Sequence, residues 1–274
     1  MTVILAIDAA WTKTEPSGVA LVASNGAGWR CFAVAPSYDA FLALASDVPV
    51  DWTRSRFPGS APDIPRLLEA ARSLAAAPVD LVTVDMPIAK EGFTTRRIAD
   101  DQISKTFGSR WCSAHTPSSI RPGPLGAALS AAFADAGFPI ATTATEPPLL
   151  KRLIEVYPHP ALLALLKRPS RVPYKVSKAG RYWKDSNKAQ RISLLLSEFQ
   201  NIYNALVKVF GPIALPLPAA DSISSLSVLK RYEDTLDALV CAWVGVLYMQ
   251  GAAVPLGDDK AAIWCPKDAV KPEC

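Results

Sequence analysis

The chain has 274 residues, is half apolar and only 20% charged, which excludes a disordered or fibrous protein and leaves enough apolar surface for a large core. Pro at 24 against Gly at 14 indicates stiff connections rather than flexible linkers. A net charge of +4 by itself names no partner.

The apolar run Val3–Ile7 ends in Asp8 and reads as a strand buried on both faces. Val19–Ala23 and Arg30–Ala35 are two more strands, joined by the turn signal Asn25-Gly26-Ala27-Gly28. Asp63 caps a helix with Pro65 in its first turn and Pro78 as its stop. Val79–Asp85 is a fourth strand, again apolar and again ended by an acid. Residues 86–150 hold a polar stretch, a Ser/Pro/Gly-rich loop at Cys112–Gly126 and an Ala-rich helix near Leu125–Ala136. Leu153–Tyr157 is a fifth strand, closed by Pro158 and followed by a helix over Pro160–Leu166.

An irregular basic segment, Lys167–Asp185, precedes a long amphipathic helix marked by Ile192, Leu195, Phe199, Ile202 and Leu206. The last helix spans about Leu229–Gln250, and Ala261–Cys265 reads as a final short strand. Ala238–Gly257 carries no charge, but Gln250, Gly251 and Pro255 and its helical stripe fit a core helix rather than a membrane span. The N-terminus lacks a basic region and reaches an acid at Asp8, so no signal peptide is read. The five cysteines (Cys31, Cys112, Cys241, Cys265 and Cys274) form no CxxC pair. Reduced thiols in a cytoplasmic protein, without a disulfide framework or a zinc site, are expected.

Acid placement is the informative feature. If the first and fourth strands are adjacent and parallel, Asp8 and Asp85 reach one edge of the sheet, where ligands of open α/β sheets bind. Crowded carboxylates repel, and a divalent cation relieves that repulsion. Asp234 and Asp237, three residues apart on the last helix, share a face beside an apolar stripe. Glu155 is a further acid in apolar company. Hard oxygen donors select Mg²⁺ or Mn²⁺, and such ions in pairs promote phosphodiester hydrolysis.

Residues 151–210 carry twelve Lys and Arg against three acids, a local +9 that leaves −5 for the remainder. Lys175, Arg181 and Lys184, interleaved with Tyr174, Tyr182 and Trp183, suit a phosphate-rich ligand or a single strand, and a solvated basic face is the alternative. His159, between prolines, is placed to contact a phosphate or shuttle a proton. His115 lies in a Ser/Thr-rich loop between Arg110 and Arg121, a weak anion-binding signal. GxSxG, GxGxxG and GxxxxGK[ST] are absent, which argues against α/β-hydrolase, Rossmann and Walker-type sites.

The element order, with acids closing the first and fourth strands and sitting on the last helix, resembles the ribonuclease-H-like nucleases. Asp234-Thr-Leu-Asp237-Ala is similar to the DxxDA segment of RuvC-type Holliday junction resolvases, which carry Glu where this chain has the shorter Asp85. More closely, the whole chain resembles the family called domain of unknown function 429, itself held to be ribonuclease-H-like. The matching pieces are Ile7-Asp8, Val84-Asp85-Met86-Pro87-Ile88, Arg97–Asp101, Glu155–Ala161, Tyr174-Lys175 and Asp234–Trp243.

The resemblance implies a single α/β domain of ribonuclease-H-like fold over 1–274, with a mixed five-stranded sheet flanked by helices and insertions near 86–150 and 160–220. It implies Asp8, Asp85 and Asp237 as catalytic metal ligands, with Asp234 or Glu155 as a fourth, and a substrate that is DNA, RNA or a small phosphodiester. Two other readings stand beside it. One is a non-catalytic nucleic-acid-binding or scaffold module with a degenerate site. The other is an actin-like phosphotransferase, because Asp8-Ala-Ala-Trp-Thr-Lys-Thr14 is loosely similar to the first phosphate loop of that superfamily; the chain's length argues against it.

Overall fold

The computed structural model describes residues 1–270; Cys274 lies outside them. Seven strands form one mixed sheet: β1 (Thr2–Asp8), β2 (Gly18–Ser24), β3 (Trp29–Ala35), β4 (Leu81–Asp85), β5 (Arg152–Val156), β6 (Ala253–Gly257) and β7 (Ala262–Pro266). Their order is β3-β2-β1-β4-β5-β7-β6. β1, β4, β5 and β7 run parallel, while β2 and β6 are antiparallel to their neighbours.

The sheet therefore has seven strands, not the expected five. The short strand expected at Ala261–Cys265 is β7, which joins beside β5 and brings β6 with it as a hairpin. β6 escapes sequence reading because Pro255 interrupts it, and an edge strand tolerates the missing donor.

Alternation within the buried strands assigns the two faces. Val3, Leu5 and Ile7 pack with Tyr38 and Phe41 of α1 (Tyr38–Leu44), Leu67 and Ala71 of α2 (Ile64–Ala75) and Phe133 of α4 (Leu125–Asp135). Ile4 and Ala6 face the other way, toward Leu195 and Phe199 of α7 (Lys188–Phe210) and the apolar stripe of α8 (Lys230–Met249). Burial on both faces explains why these strands read as unbroken apolar runs.

Between β4 and β5, α3 (Ile98–Phe107) precedes α4. The sequence reading missed α3, whose first half is charged, and α1, which is too short to display a period. Pro158 does not end a strand but opens α5 (Pro158–Leu165), where a first-turn proline gives up no needed N–H. The basic segment is mostly irregular, with one short helix, α6 (Ala179–Tyr182), and α9 (Lys267–Val270) follows β7. Among the described residues no helix is long and apolar enough to cross a membrane. Cys31, Cys112, Cys241 and Cys265 are free thiols.

α8 lies across β1, β2 and β4, and two glycines set how closely. A Cβ on Gly18, the β2 residue paired with Asp8, would sit 2.2 Å from the Asp234 carbonyl oxygen. A Cβ on Gly245 would sit 2.8 Å from Thr83 Cγ2 in β4. Replacing Gly18 by Ala must push the start of α8 off the sheet, at a cost of about 1–3 kcal/mol. Thermal and urea unfolding of Gly18→Ala should show that loss, whereas Gly92→Ala, where an added Cβ meets nothing, should unfold within about 1 kcal/mol of the parent.

Candidate functional site

Parallel pairing of β1 with β4 puts Asp8 opposite Asp85 at the carboxyl ends of both strands. The two acids face a cavity of about 690 Å³, within the range of small-molecule sites. Asp234 and Glu233 of α8 reach the same cavity, so four carboxylates form its floor. Asp237 is wholly buried and does not line it. Neither Asp8 nor Asp85 has an ion-pair partner among the described residues.

The acids of α8 are matched with lysines. Tyr174 Oη donates to Asp237 Oδ1 at 2.5 Å, and Lys175 Nζ binds Asp237 Oδ2 and lies 3.2 Å from Glu233. Lys230, one turn before Asp234, binds that carboxylate and lies 3.1 Å from Glu233. The backbone N–H of Val176 donates to Glu233 Oε2 at 2.6 Å. Glu233 and Lys230 were not singled out in the sequence, although the spacing Lys230-x-x-Glu233-Asp234 at the head of a buried helix was a signal for both.

Electrostatics follow from this crowding. Burial first, then the charges of Asp234 and Asp237, hold the Asp8 carboxyl far above the usual range. Burial pushes Asp85 up to about 8, with Lys175 pulling it back. Asp234 is pushed up to about 6 by burial, against the pull of Lys230. Burial also raises Asp237. Glu233 alone is lowered, because Lys175 and Lys230 together outweigh its burial.

Glu155 is placed differently from the expectation. Arg97 meets it with two hydrogen bonds, Nη1 to Oε2 at 2.6 Å and Nη2 to Oε1 at 2.7 Å, and also binds Asp100. The Glu155 carboxylate accepts from the Ile88 N–H at 3.0 Å, while Arg97 donates to the Ile88 carbonyl. Both oxygens are thus committed, and Glu155 fastens the chain that leaves Asp85 rather than standing among the cavity acids. Truncating Arg97 to Ala leaves two buried carboxylates without their cation. Unfolding of Arg97→Ala should show a loss of about 3–5 kcal/mol, and the double variant Arg97→Met/Glu155→Met a smaller one.

Of the other expected residues, Lys175 and His159 line the cavity, whereas Arg181 and Lys184 are exposed and lie outside its lining. Arg121, Arg171, Lys178 and His115 complete the basic side of the wall. Arg110 turns away and binds the carbonyls of Pro169, Arg168 and Ala269. His159 is buried, and desolvation followed by the charge of Arg171 holds its pKa far below 6.5. It is a neutral imidazole at physiological pH.

A divalent cation fits this floor in donor chemistry: hard carboxylate oxygens, crowded and desolvated, at a strand-end edge. As placed, no three His, Cys, Asp or Glu side chains among the described residues are gathered to hold a metal ion. Lys175 and Lys230 supply the neutralising charge instead.

The raised carboxyl of Asp85 has a consequence for stability. A group whose folded pKa exceeds its unfolded value stabilises below that folded pKa and loses its contribution as pH rises through it. Metal-free protein should therefore gain stability as pH falls from 9 to 7, with Asp85 contributing about 1.4 kcal/mol per unit once below pH 8 and the raised Asp8 adding in the same sense. Asp85→Asn should remove that share of the slope, leaving the part due to Asp8, and be the more stable of the two at pH 9. Urea unfolding in chelator across this range measures it; a slope unchanged in the variant would locate the effect elsewhere.

No curated protein and no solved structure matches the chain. The family described as "Protein of unknown function (DUF429)" matches residues 7–262, a span that runs from the end of β1 into β7 and takes in every acid of the cavity floor. The chain belongs to the DUF429 family.

Proposed function

We propose that this protein is a Mg²⁺- or Mn²⁺-dependent phosphodiesterase, acting on DNA, RNA or a small phosphodiester, on a ribonuclease-H-like fold. The observation that carries the reading is the register pairing of Asp8 with Asp85 on the floor of a cavity that Asp234 also lines. The run β3-β2-β1-β4-β5, with β2 alone reversed and α8 laid across it, supports the fold assignment.

Asp8, Asp85 and Asp234 would hold the cation. When bound, divalent ions of this kind neutralise the clustered carboxylates and lower the barrier to attack on a phosphodiester. Asp237 holds the Lys175 ammonium and the Tyr174 hydroxyl beneath the floor, so it orients a cation of the chain itself. Lys230, which now pairs with Asp234, would have to release that carboxylate for it to hold the cation. The basic wall draws phosphate toward the acids, which without it would repel an anionic substrate.

A second reading, a non-catalytic binding module, is favoured by one observation: Lys175 and Lys230 already neutralise the α8 acids. The two readings part on metal dependence. In the first, Mn²⁺ binds with an affinity lost in Asp8→Asn and Asp85→Asn, and Mn²⁺-dependent cleavage of single-stranded or junction substrates falls at least about 100-fold in both, with circular dichroism unchanged. Absence of Mn²⁺ binding by electron paramagnetic resonance, together with absence of cleavage, would sink the hydrolase. Salt-sensitive nucleic-acid binding that survives Asp8→Asn would then favour the module.

A further inference from the structure

The cavity has a second pole that the acids do not serve. Arg121, Arg171 and Lys178 line its wall, and none of the three has an ion-pair partner among the described residues. They lie close enough to His115 that burial, then Lys178, Arg171 and Arg121, lower its pKa. Lys178 is itself lowered by burial and by Arg171. Three cations thus share one wall without an ion pair among the described residues, although Glu15 also lines the cavity.

Hydrogen bonding gives independent support. Arg171 Nη2 lies 2.5 Å from His159 Nε2. Arginine only donates, so Nε2 accepts and the proton of the neutral imidazole is on Nδ1. Among the described residues that buried Nδ1 has no hydrogen-bond partner, and the Nε of Arg171 is in the same condition. His159 is 4% exposed and lines the cavity. Two buried N–H donors without an acceptor, beside three uncommitted cations, leave a deficit of acceptor oxygens and negative charge.

We propose that Arg171, His159, Arg121 and Lys178 form a subsite for a phosphomonoester dianion, the terminal phosphate of the substrate. The proposal rests on the phosphodiesterase reading for the word substrate, but the anion site stands on its own contacts. A terminal phosphate carries close to two charges and three acceptor oxygens, which matches this donor set better than the single charge of an internal diester. The protein is thereby a reader of phosphorylated ends, with the acid floor set next to the terminal residue.

The test uses the whole protein in chelator, so that metal binding plays no part. Inorganic phosphate, followed by calorimetry, should bind the parent and Lys184→Gln, an exposed cation outside the cavity lining, alike. Removing one charge-assisted contact is worth about tenfold, so Arg171→Gln and the double variant Arg121→Gln/Lys178→Gln should each bind at least about tenfold more weakly. Arg121 and Lys178 are on the surface side of the wall, so the double variant remains informative if Arg171→Gln does not fold. A 5′- or 3′-phosphorylated dinucleotide should displace phosphate better than the same dinucleotide with hydroxyl ends.

Equal displacement by the two dinucleotides would overturn end recognition. Phosphate affinity unchanged in the double variant, or no phosphate binding by the parent, would overturn the subsite even if Mn²⁺-dependent cleavage is found. Conversely, phosphate binding lost in the double variant, without cleavage of any diester, would uphold the subsite while the hydrolase fails.

Discussion

Two carboxylates held side by side by backbone register are the constraint on which the rest of the site depends. The ladder between β1 and β4 fixes Asp8 against Asp85, and the apolar residues behind them bury the strands, so neither acid can move away from the other. Such an arrangement is unfavourable in isolation, because desolvation and mutual repulsion both penalise charge. The chain offsets part of the penalty through α8, which brings Lys230 with it and meets Lys175 from the basic segment. The close seat of α8 over Gly18 cuts both ways: it brings Lys230 toward Asp85, and it also sets Asp234 and Asp237 against Asp8, whose carboxyl they raise further.

A second arrangement keeps that geometry in place. Glu155 of β5 and Arg97 at the head of α3 grip Ile88 by its N–H and its carbonyl, three residues after Asp85. Three of the stretches that carry the family resemblance, Val84–Ile88, Arg97–Asp101 and Glu155–Ala161, meet at this point although they are far apart in the chain. Glu155 is thus better understood as the anchor of the Asp85 strand end than as a member of the acid floor.

What the sequence disclosed and what it hid divide along physical lines. Asp8 and Asp85 were legible because each ends a predominantly apolar run, a pattern that one chain segment displays by itself. The role of Glu155 was not, since its meaning depends on Arg97, 58 residues away and brought near only by the sheet. α8 was visible through its stripe, yet the burial of its polar first turn, with Glu233 at 2% exposure, is set by the segment that covers it. Arg181 and Lys184 looked equivalent to Lys175 in composition. The turn from Lys175 into α6 sends only some of these cations inward, and charge counting does not see direction.

The uneven charge of the chain therefore acquires a geometry narrower than a basic half and an acidic remainder. Of the basic segment, Arg171, Lys175 and Lys178 reach the cavity, joined by Arg121 from the loop after α3 and by Lys230 from α8. Lys175 and Lys230 are spent on the acids, and Arg121, Arg171 and Lys178 are not. What is left without an ion pair among the described residues is Asp8 and Asp85 on the floor, which favour a cation, and the three cations of the wall, which favour an anion. Either ligand alone lowers the repulsion at its own pole and, within the one cavity that both poles line, improves the field for the other. A phosphate drawn to the wall adds negative charge above the floor and strengthens the attraction for a metal; a metal on the floor does the same for the phosphate. Coupling of this kind is reciprocal by thermodynamic necessity, so whatever affinity the phosphate lends the metal, the metal lends the phosphate.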